Sequence, residues 1–232
     1  MDYTRIRDFI ISYTHDDEGS LKEIYEKAIQ NEVPIIRRET RDFLQVLLQI
    51  VKPQSILEVG TAVGYSTLVM ADLLNEVWEL DANSDVNQFD DKNLTDWYID
   101  TCELDESRIK EALANFGNSP YEEHITLLEG DAASTLKGIT DKTYGFIFID
   151  AAKAQYMTYL EESIRLSHKG TVIVTDNILA EGDVLESHFL VEKRDRTIHD
   201  RMREYLYYIK NDPRLDTSIL SVGDGLAMSI IK

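Results

Sequence analysis

Residues 146–156 read FIFIDAAKAQY. Four apolar residues, Phe146 to Ile149, run straight into Asp150, and Lys153 follows about one helical turn later. A continuous apolar run without alternation is a strand buried on both faces. Such strands belong to parallel sheets with helices on each side, so this stretch points to an α/β fold. The surrounding sequence repeats the pattern. SILEVG (55–60), WYIDTCEL (97–104), HITLLEG (124–130), YGFIFID (144–150) and GTVIVTD (170–176) read as strands, with helices after the first four, among them 64–75 and 105–116. Gly117 stands where a helix C-terminus favours glycine. A long helix at 197–211 precedes two last strands near 216–221 and 225–231. Gly223-Asp224-Gly225 allows a tight reversal between them, so the last strand is expected to run antiparallel.

Working towards the N-terminus, 3–13, about 20–31 and 38–51 have helical spacing, and Ser20-Leu21-Lys22-Glu23 fits a capping box. The expectation is a Rossmann-like α/β fold. It has a seven-stranded, mostly parallel sheet with helices on both faces, in a single domain spanning 1–232, with residues 1–52 as extra N-terminal helices. Residues 76–96 break the rhythm. They are rich in Asp and Asn and too long for an ordinary connection, so they read as an inserted surface loop.

The chain has 232 residues, enough for one α/β domain with a sizeable core, and a formal net charge of −19. That charge argues against nucleic acid at first sight, because phosphate binding rests on Lys and Arg. The charge is uneven, however: residues 72–106 hold twelve acids and one lysine. No apolar run approaches the length of a membrane span, and no signal peptide is read at the N-terminus. The lone Cys102 rules out an internal disulfide and fits a reducing compartment. A cytoplasmic protein with no membrane contact is expected.

Two candidate sites lie at strand ends. ILEVGTAVGYST (56–67) carries Gly60 and Gly64 but matches neither dinucleotide nor P-loop spacing. A pyrophosphate cradle is therefore poorly supported, and what remains is a tight turn that a ligand approaches closely. Glu58 lies where an ammonium could meet it. Glu103 can accept hydrogen bonds from two ribose hydroxyls. Asp131-Ala132 sits where an adenine edge would be read. Ribose, adenine, an amino-acid end and no phosphate describe S-adenosylmethionine, although each acid alone could simply cap a helix. The second site joins Asp150 to Asp176-Asn177. Oxygen-only ligands suit a hard cation such as Mg²⁺, and Lys153 would face a substrate oxygen. Here too the alternative is that Asp150 caps a helix and Lys153 is solvated.

VPIIRRET (33–40), ILEVGTAVGYST, EGDAAS (129–134), FIFIDAAKAQY, VTDN (174–177) and GDGLAMS (223–229) resemble the cation-dependent O-methyltransferase family of catechol and caffeoyl-CoA methyltransferases. RTIHDRMREYLYYI (196–209) before GDGLAMSIIK (223–232) looks most like the bacterial branch that methylates 5-hydroxyuridine at the tRNA wobble position. The resemblance implies a methyltransferase fold, Asp150, Asp176 and Asn177 as metal ligands, and Lys153 as the catalytic lysine. It implies S-adenosylmethionine contacts at Ile36, Glu58, Gly60, Tyr65, Ser66, Glu103, Asp131, Ala132 and Asp150. It also implies a homodimer. The insertion displaces the strand of Glu103 from the family spacing, but TCELDESRIKEA (101–112) still matches the expected junction.

The reaction implied is Mg²⁺-dependent methyl transfer to the 5-hydroxyl of wobble 5-hydroxyuridine, giving 5-methoxyuridine. Catechol offers a metal the same pair of adjacent oxygens, so a small-molecule O-methyltransferase is the alternative. A non-catalytic S-adenosylmethionine-binding module is a further one. For tRNA the candidate contacts to an anticodon stem-loop are Arg37, Arg38, Lys193, Arg194, Arg196 and Arg201. The opposing reading of those cations is a helix laced with salt bridges.

Overall fold

The computed structural model describes residues 3–82 and 97–232. Its centre is a seven-stranded sheet in the order β3-β2-β1-β4-β5-β7-β6. The strands are β1 (Ser55–Val59), β2 (Tyr98–Glu103), β3 (Ile125–Glu129), β4 (Tyr144–Ile149), β5 (Ser167–Thr175), β6 (Leu215–Leu220) and β7 (Leu226–Ile231). Strands β1 to β5 pair in parallel, and β7 runs antiparallel to both β5 and β6. The expected fold class and the reversed last strand are both present.

The apolar run in β4 explains the layering. Phe146, Ile147, Phe148 and Ile149 are all fully buried. Side chains alternate faces along a strand, so Phe146 and Phe148 enter one core while Ile147 and Ile149 enter the other. Each such burial contributes about 1.5–3 kcal/mol. On the first face lie α2 (Gly19–Gln30), α3 (Arg38–Val51) and α4 (Tyr65–Ala82), and on the second α7 (Tyr156–Arg165) and α8 (Arg196–Asn211). The remaining helices are α1 (Tyr3–Ile11), α5 (Glu106–Gly117) and α6 (Ala132–Gly138).

Three local expectations are corrected. Helix α4 continues to Ala82 rather than ending at 75, so 76–82 is helix and not loop. Val77 and Trp78 decide this. Both are buried, and the Trp78 indole donates to the Pro53 carbonyl at 3.3 Å. They fall one turn beyond Leu73 and Leu74, so the apolar stripe outlasts the acidic composition. The rest of the expected insertion, 83–96, lies outside the described residues. Helix α2 starts at Gly19 with Glu18 at its N-cap and no side-chain cap bond, so the capping box does not form. Gly117 remains inside α5, and Asn118 caps it in a right-handed conformation.

Candidate active site

The parallel ladder places the site. Val59 pairs with Ile149, and Ile149 with Thr175. Beyond the strands the ladder continues: Asp150 N donates to Val59 O and Asp176 N to Ile149 O, both at 2.9 Å. The residues after β1, β4 and β5 therefore stand side by side on one edge. Strand order reverses between β1 and β4, where doubly wound sheets open a crevice. A cavity of about 840 Å³ occupies that edge.

Gly60 is the pivot. Its φ is +107°, and a Cβ there would lie 2.0 Å from the Asp150 carbonyl oxygen. Only glycine permits that approach. Gly64, at φ +82°, is held to the same type by the Phe116 ring. After this turn Ala62 N donates to Glu103 Oε2 at 2.8 Å. The other oxygen of Glu103 accepts from Leu104 N and Asp105 N, each at 2.9 Å. Glu103 thus ends β2 as expected, with its carboxylate fixed by backbone N–H groups.

Of the residues expected to touch the cofactor, Ile36, Gly60, Tyr65, Ser66, Glu103, Asp131, Ala132 and Asp150 all line the cavity. Glu58 does not. It is fully buried and accepts hydrogen bonds from Ser66 Oγ at 2.5 Å, Thr101 Oγ1 at 2.6 Å and Thr67 Oγ1. Of those three partners only Ser66 faces the cavity. Burial pushes the Glu58 carboxyl up to about 7, against the pull of its hydroxyl partners. The Tyr65 hydroxyl turns away to Asp17, at 2.7 Å.

Asp150, Asp176 and Asn177 come together. Asn177 Nδ2 donates to Asp150 Oδ1 at 2.7 Å, and Asn177 N to Asp176 Oδ1 at 2.6 Å. Asn177 adopts φ +57°, a left-handed conformation that asparagine tolerates better than most residues. Among the described residues neither aspartate has an ion pair within 4.0 Å. Burial raises the Asp150 carboxyl, and burial with the nearby Asp150 charge raises Asp176 to about 8. A buried Asp176 beside a half-buried Asp150, with no ion pair within 4.0 Å among the described residues, is a costly arrangement. Their oxygens, with an amide whose Oδ1 replaces Nδ2 on a half-turn, fit a hard divalent ion. Lys153 opens the turn after β4, lines the cavity and acts electrostatically on Asp150.

Arg37, Arg38, Lys193, Arg194, Arg196 and Arg201 lie outside the cavity lining. Arg38 pairs with Asp16 and lies over the Tyr25 ring. Arg194 meets Glu192 and Asp195 at 3.1 and 3.2 Å. Arg196 and Arg201 donate to the backbone carbonyls of Val191 and Ala154. Three useful residues were not singled out from the sequence. Thr67 and Thr101 hold Glu58, and Tyr156 donates to the Asp176 carbonyl at 3.0 Å. Thr101 follows only once the parallel register sets it beside Glu58. Tyr156 offered no signal beyond an aromatic in an apolar stretch.

A family model described as O-methyltransferase matches residues 11–93 and 90–231. The chain belongs to the O-methyltransferase family. A catechol O-methyltransferase from Niastella koreensis is 30% identical over 198 residues, 82% of this chain and 79% of the relative. A solved Staphylococcus aureus structure is 31% identical with a TM-score of 0.78, covering 93% of both chains. An O-methyltransferase from Bacillus cereus, solved in complex with S-adenosylhomocysteine, is 25% identical, with a TM-score of 0.78 over 98% of this chain and 97% of its own. The enzyme is therefore an S-adenosylmethionine-dependent methyltransferase with the Rossmann-like fold of that family. Among its described residues no helix is long and apolar enough to cross a membrane.

Proposed function

We propose that this methyltransferase is divalent-cation-dependent, with Mg²⁺ as the natural choice, and that its acceptor is a hydroxyl with a second oxygen beside it. The observation that carries this reading is the meeting of Asp150, Asp176 and Asn177, with neither aspartate in an ion pair within 4.0 Å among the described residues. Those three residues would hold the ion. When bound, such an ion lowers the pKa of an adjacent hydroxyl, and S-adenosylmethionine supplies the methyl group. Lys153, beside Asp150, holds the acceptor proton or steadies the oxyanion at its ammonium. Glu103 accepts from the ribose hydroxyls, its carboxylate already aimed by three backbone N–H groups. Ile35 and Ile36 give the cavity an apolar wall.

For the acceptor itself we favour a small catechol-like phenol. The catechol relative supports it, and so does the local pairing of the arginines in and just before α8. The second reading, tRNA wobble 5-hydroxyuridine, has one observation in its favour. Arg37 is close enough to Asp176 to act on it electrostatically, so a cation near the metal ligands is available to a phosphate. A homodimer also remains a proposal, supported by the exposed Phe9, Ile10 and Tyr13 of the N-terminal segment. The deciding experiment offers metal-stripped protein a catechol, a monophenol and a tRNA carrying 5-hydroxyuridine, with and without Mg²⁺. Catechol should be methylated only with Mg²⁺ and the monophenol not at all. Full activity in excess EDTA would overturn the metal reading, and turnover of tRNA alone would replace the small-molecule one.

A further inference from the structure

A second group of metal-type ligands stands away from the cavity lining. His188 lies in the segment before α8, and His199 and Asp200 are the fourth and fifth residues of that helix. One ligand atom from each lies within 4.8 Å of the others. His188 Nδ1 and His199 Nδ1 both approach the same Asp200 Oδ1 at 2.8 Å. His199 is 2% exposed, whereas His188 and Asp200 have side-chain exposures of 41% and 56%. One ligand is therefore anchored in the core and two stand at the rim, open to an ion from solvent.

The His199 ring is oriented as a metal-bound imidazole would be. Its Nε2 lies 3.1 Å from the Glu186 carbonyl. A carbonyl only accepts, so Nε2 carries a hydrogen. In the neutral ring Nδ1 is then a lone pair, and it faces a carboxylate oxygen that also only accepts. Two acceptors at 2.8 Å repel unless a proton or a metal ion lies between them, so the contact calls for a second ring proton or a bound cation. Metal-bound histidines share this arrangement, donating the second ring N–H to a backbone carbonyl that fixes tautomer and orientation. Arg203 Nη1 donates to the same Glu186 carbonyl at 3.1 Å, which helps hold that acceptor in place.

We propose that His188, His199 and Asp200 form a second cation site, selective for a borderline transition metal such as Zn²⁺ rather than Mg²⁺. The donor set decides the class. Imidazoles suit zinc, copper and nickel, whereas the site at Asp150 offers oxygen alone. Metal–ligand bonds of roughly 2.0–2.2 Å in tetrahedral arrangement set ligand atoms about 3.3 Å apart. Contacts of 2.8 Å need to open only slightly to reach that. Three protein ligands leave a fourth position for water or another donor. The bound ion would fasten the 186–190 segment to the start of α8. Arg201 on the next turn of that helix donates to the Ala154 carbonyl at 2.9 Å, one residue beyond Lys153. The site therefore braces the wall behind the catalytic lysine without touching the substrate.

The test is Zn²⁺ titration of the EDTA-stripped full chain by calorimetry, with millimolar Mg²⁺ present to cover the oxygen site. One Zn²⁺ per chain is expected, with His188 and His199 imidazole NMR signals shifting as it binds. His188→Gln and Asp200→Asn change rim residues and should leave the fold intact. Each should weaken binding by more than tenfold, since loss of an outer-sphere partner alone costs roughly 10–100-fold. Asp176→Asn should leave this Zn²⁺ binding unchanged. Equal Zn²⁺ affinity in both rim variants would overturn the proposal. So would loss of binding in Asp176→Asn alone, or no binding at all.

Discussion

The carboxyl edge of the sheet and the basic stretch around α8 both drew attention as charge clusters, and the fold treats them oppositely. At the edge, Asp150 and Asp176 are delivered to one place by strand register, and neither has an ion pair among the described residues. The backbone ladder leaves them no freedom to separate. Around α8 the charges are on long side chains at the surface, and each guanidinium finds an acceptor at hand. Arg194 takes Glu192 and Asp195, and Arg214 takes Asp212 at 2.6 Å and Glu161 at 2.7 Å. Two acids held together where burial raises both carboxyls need a function to explain them. Opposite charges on a helix surface do not. A local excess of two positive charges over 190–214 therefore says less than two aspartates at neighbouring strand ends.

The largest expected effect tests the edge. Asp150→Asn keeps the volume and the Asn177 contact but removes one charge from the pair. Methyl transfer should fall by at least about 10²–10³, the scale for losing one preorganised electrostatic group in an active site. Cofactor binding, measured by calorimetry, should weaken far less. If both fall together, Asp150 is holding the cofactor turn at Gly60 and the contrast between the two regions loses its force.

A smaller effect is expected at Glu103. Glu103→Gln should weaken S-adenosylmethionine binding by about 1–3 kcal/mol, as for hydrogen bonds to a charged group. Unchanged affinity in calorimetry would remove Glu103 from the cofactor contacts. The position was legible despite the interrupted spacing, because β2 ends in an acid followed by Asp105, which caps α5 through Ser107 N and Arg108 N. Strand ends in general were legible for that reason. A strand buried on both faces has few alternatives, and a parallel ladder fixes what stands beside what. The ends of α3 were legible too, at Arg38 and Val51, but the end of α4 was not. Trp78 extends α4 by packing against Pro53, a contact made 25 residues away in sequence that composition does not reveal. The Glu58 cradle was half legible: Ser66 was marked, but Thr101 needs the register.

The smallest expected effect concerns the surface. Arg194, Arg196 and Arg201 changed together to alanine remove two ion-pair contacts and a few hydrogen bonds to carbonyls. Exposed pairs of this kind contribute about 0–1 kcal/mol each, so the melting temperature should move little. On a catechol the triple variant should keep nearly full turnover, because none of the three lines the cavity. On tRNA the outcome separates the two readings. Weak pairing does not bar an arginine from exchanging a carboxylate for a phosphate, so paired residues can still serve an RNA surface. If they do, the triple variant loses tRNA activity, and the salt dependence of binding becomes shallower by about one unit of slope per phosphate contact removed. If the arginines only lace the helix together, tRNA binding is equally weak before and after. Their acceptors then account fully for the charge excess, leaving the strand edge as the functional cluster of the two.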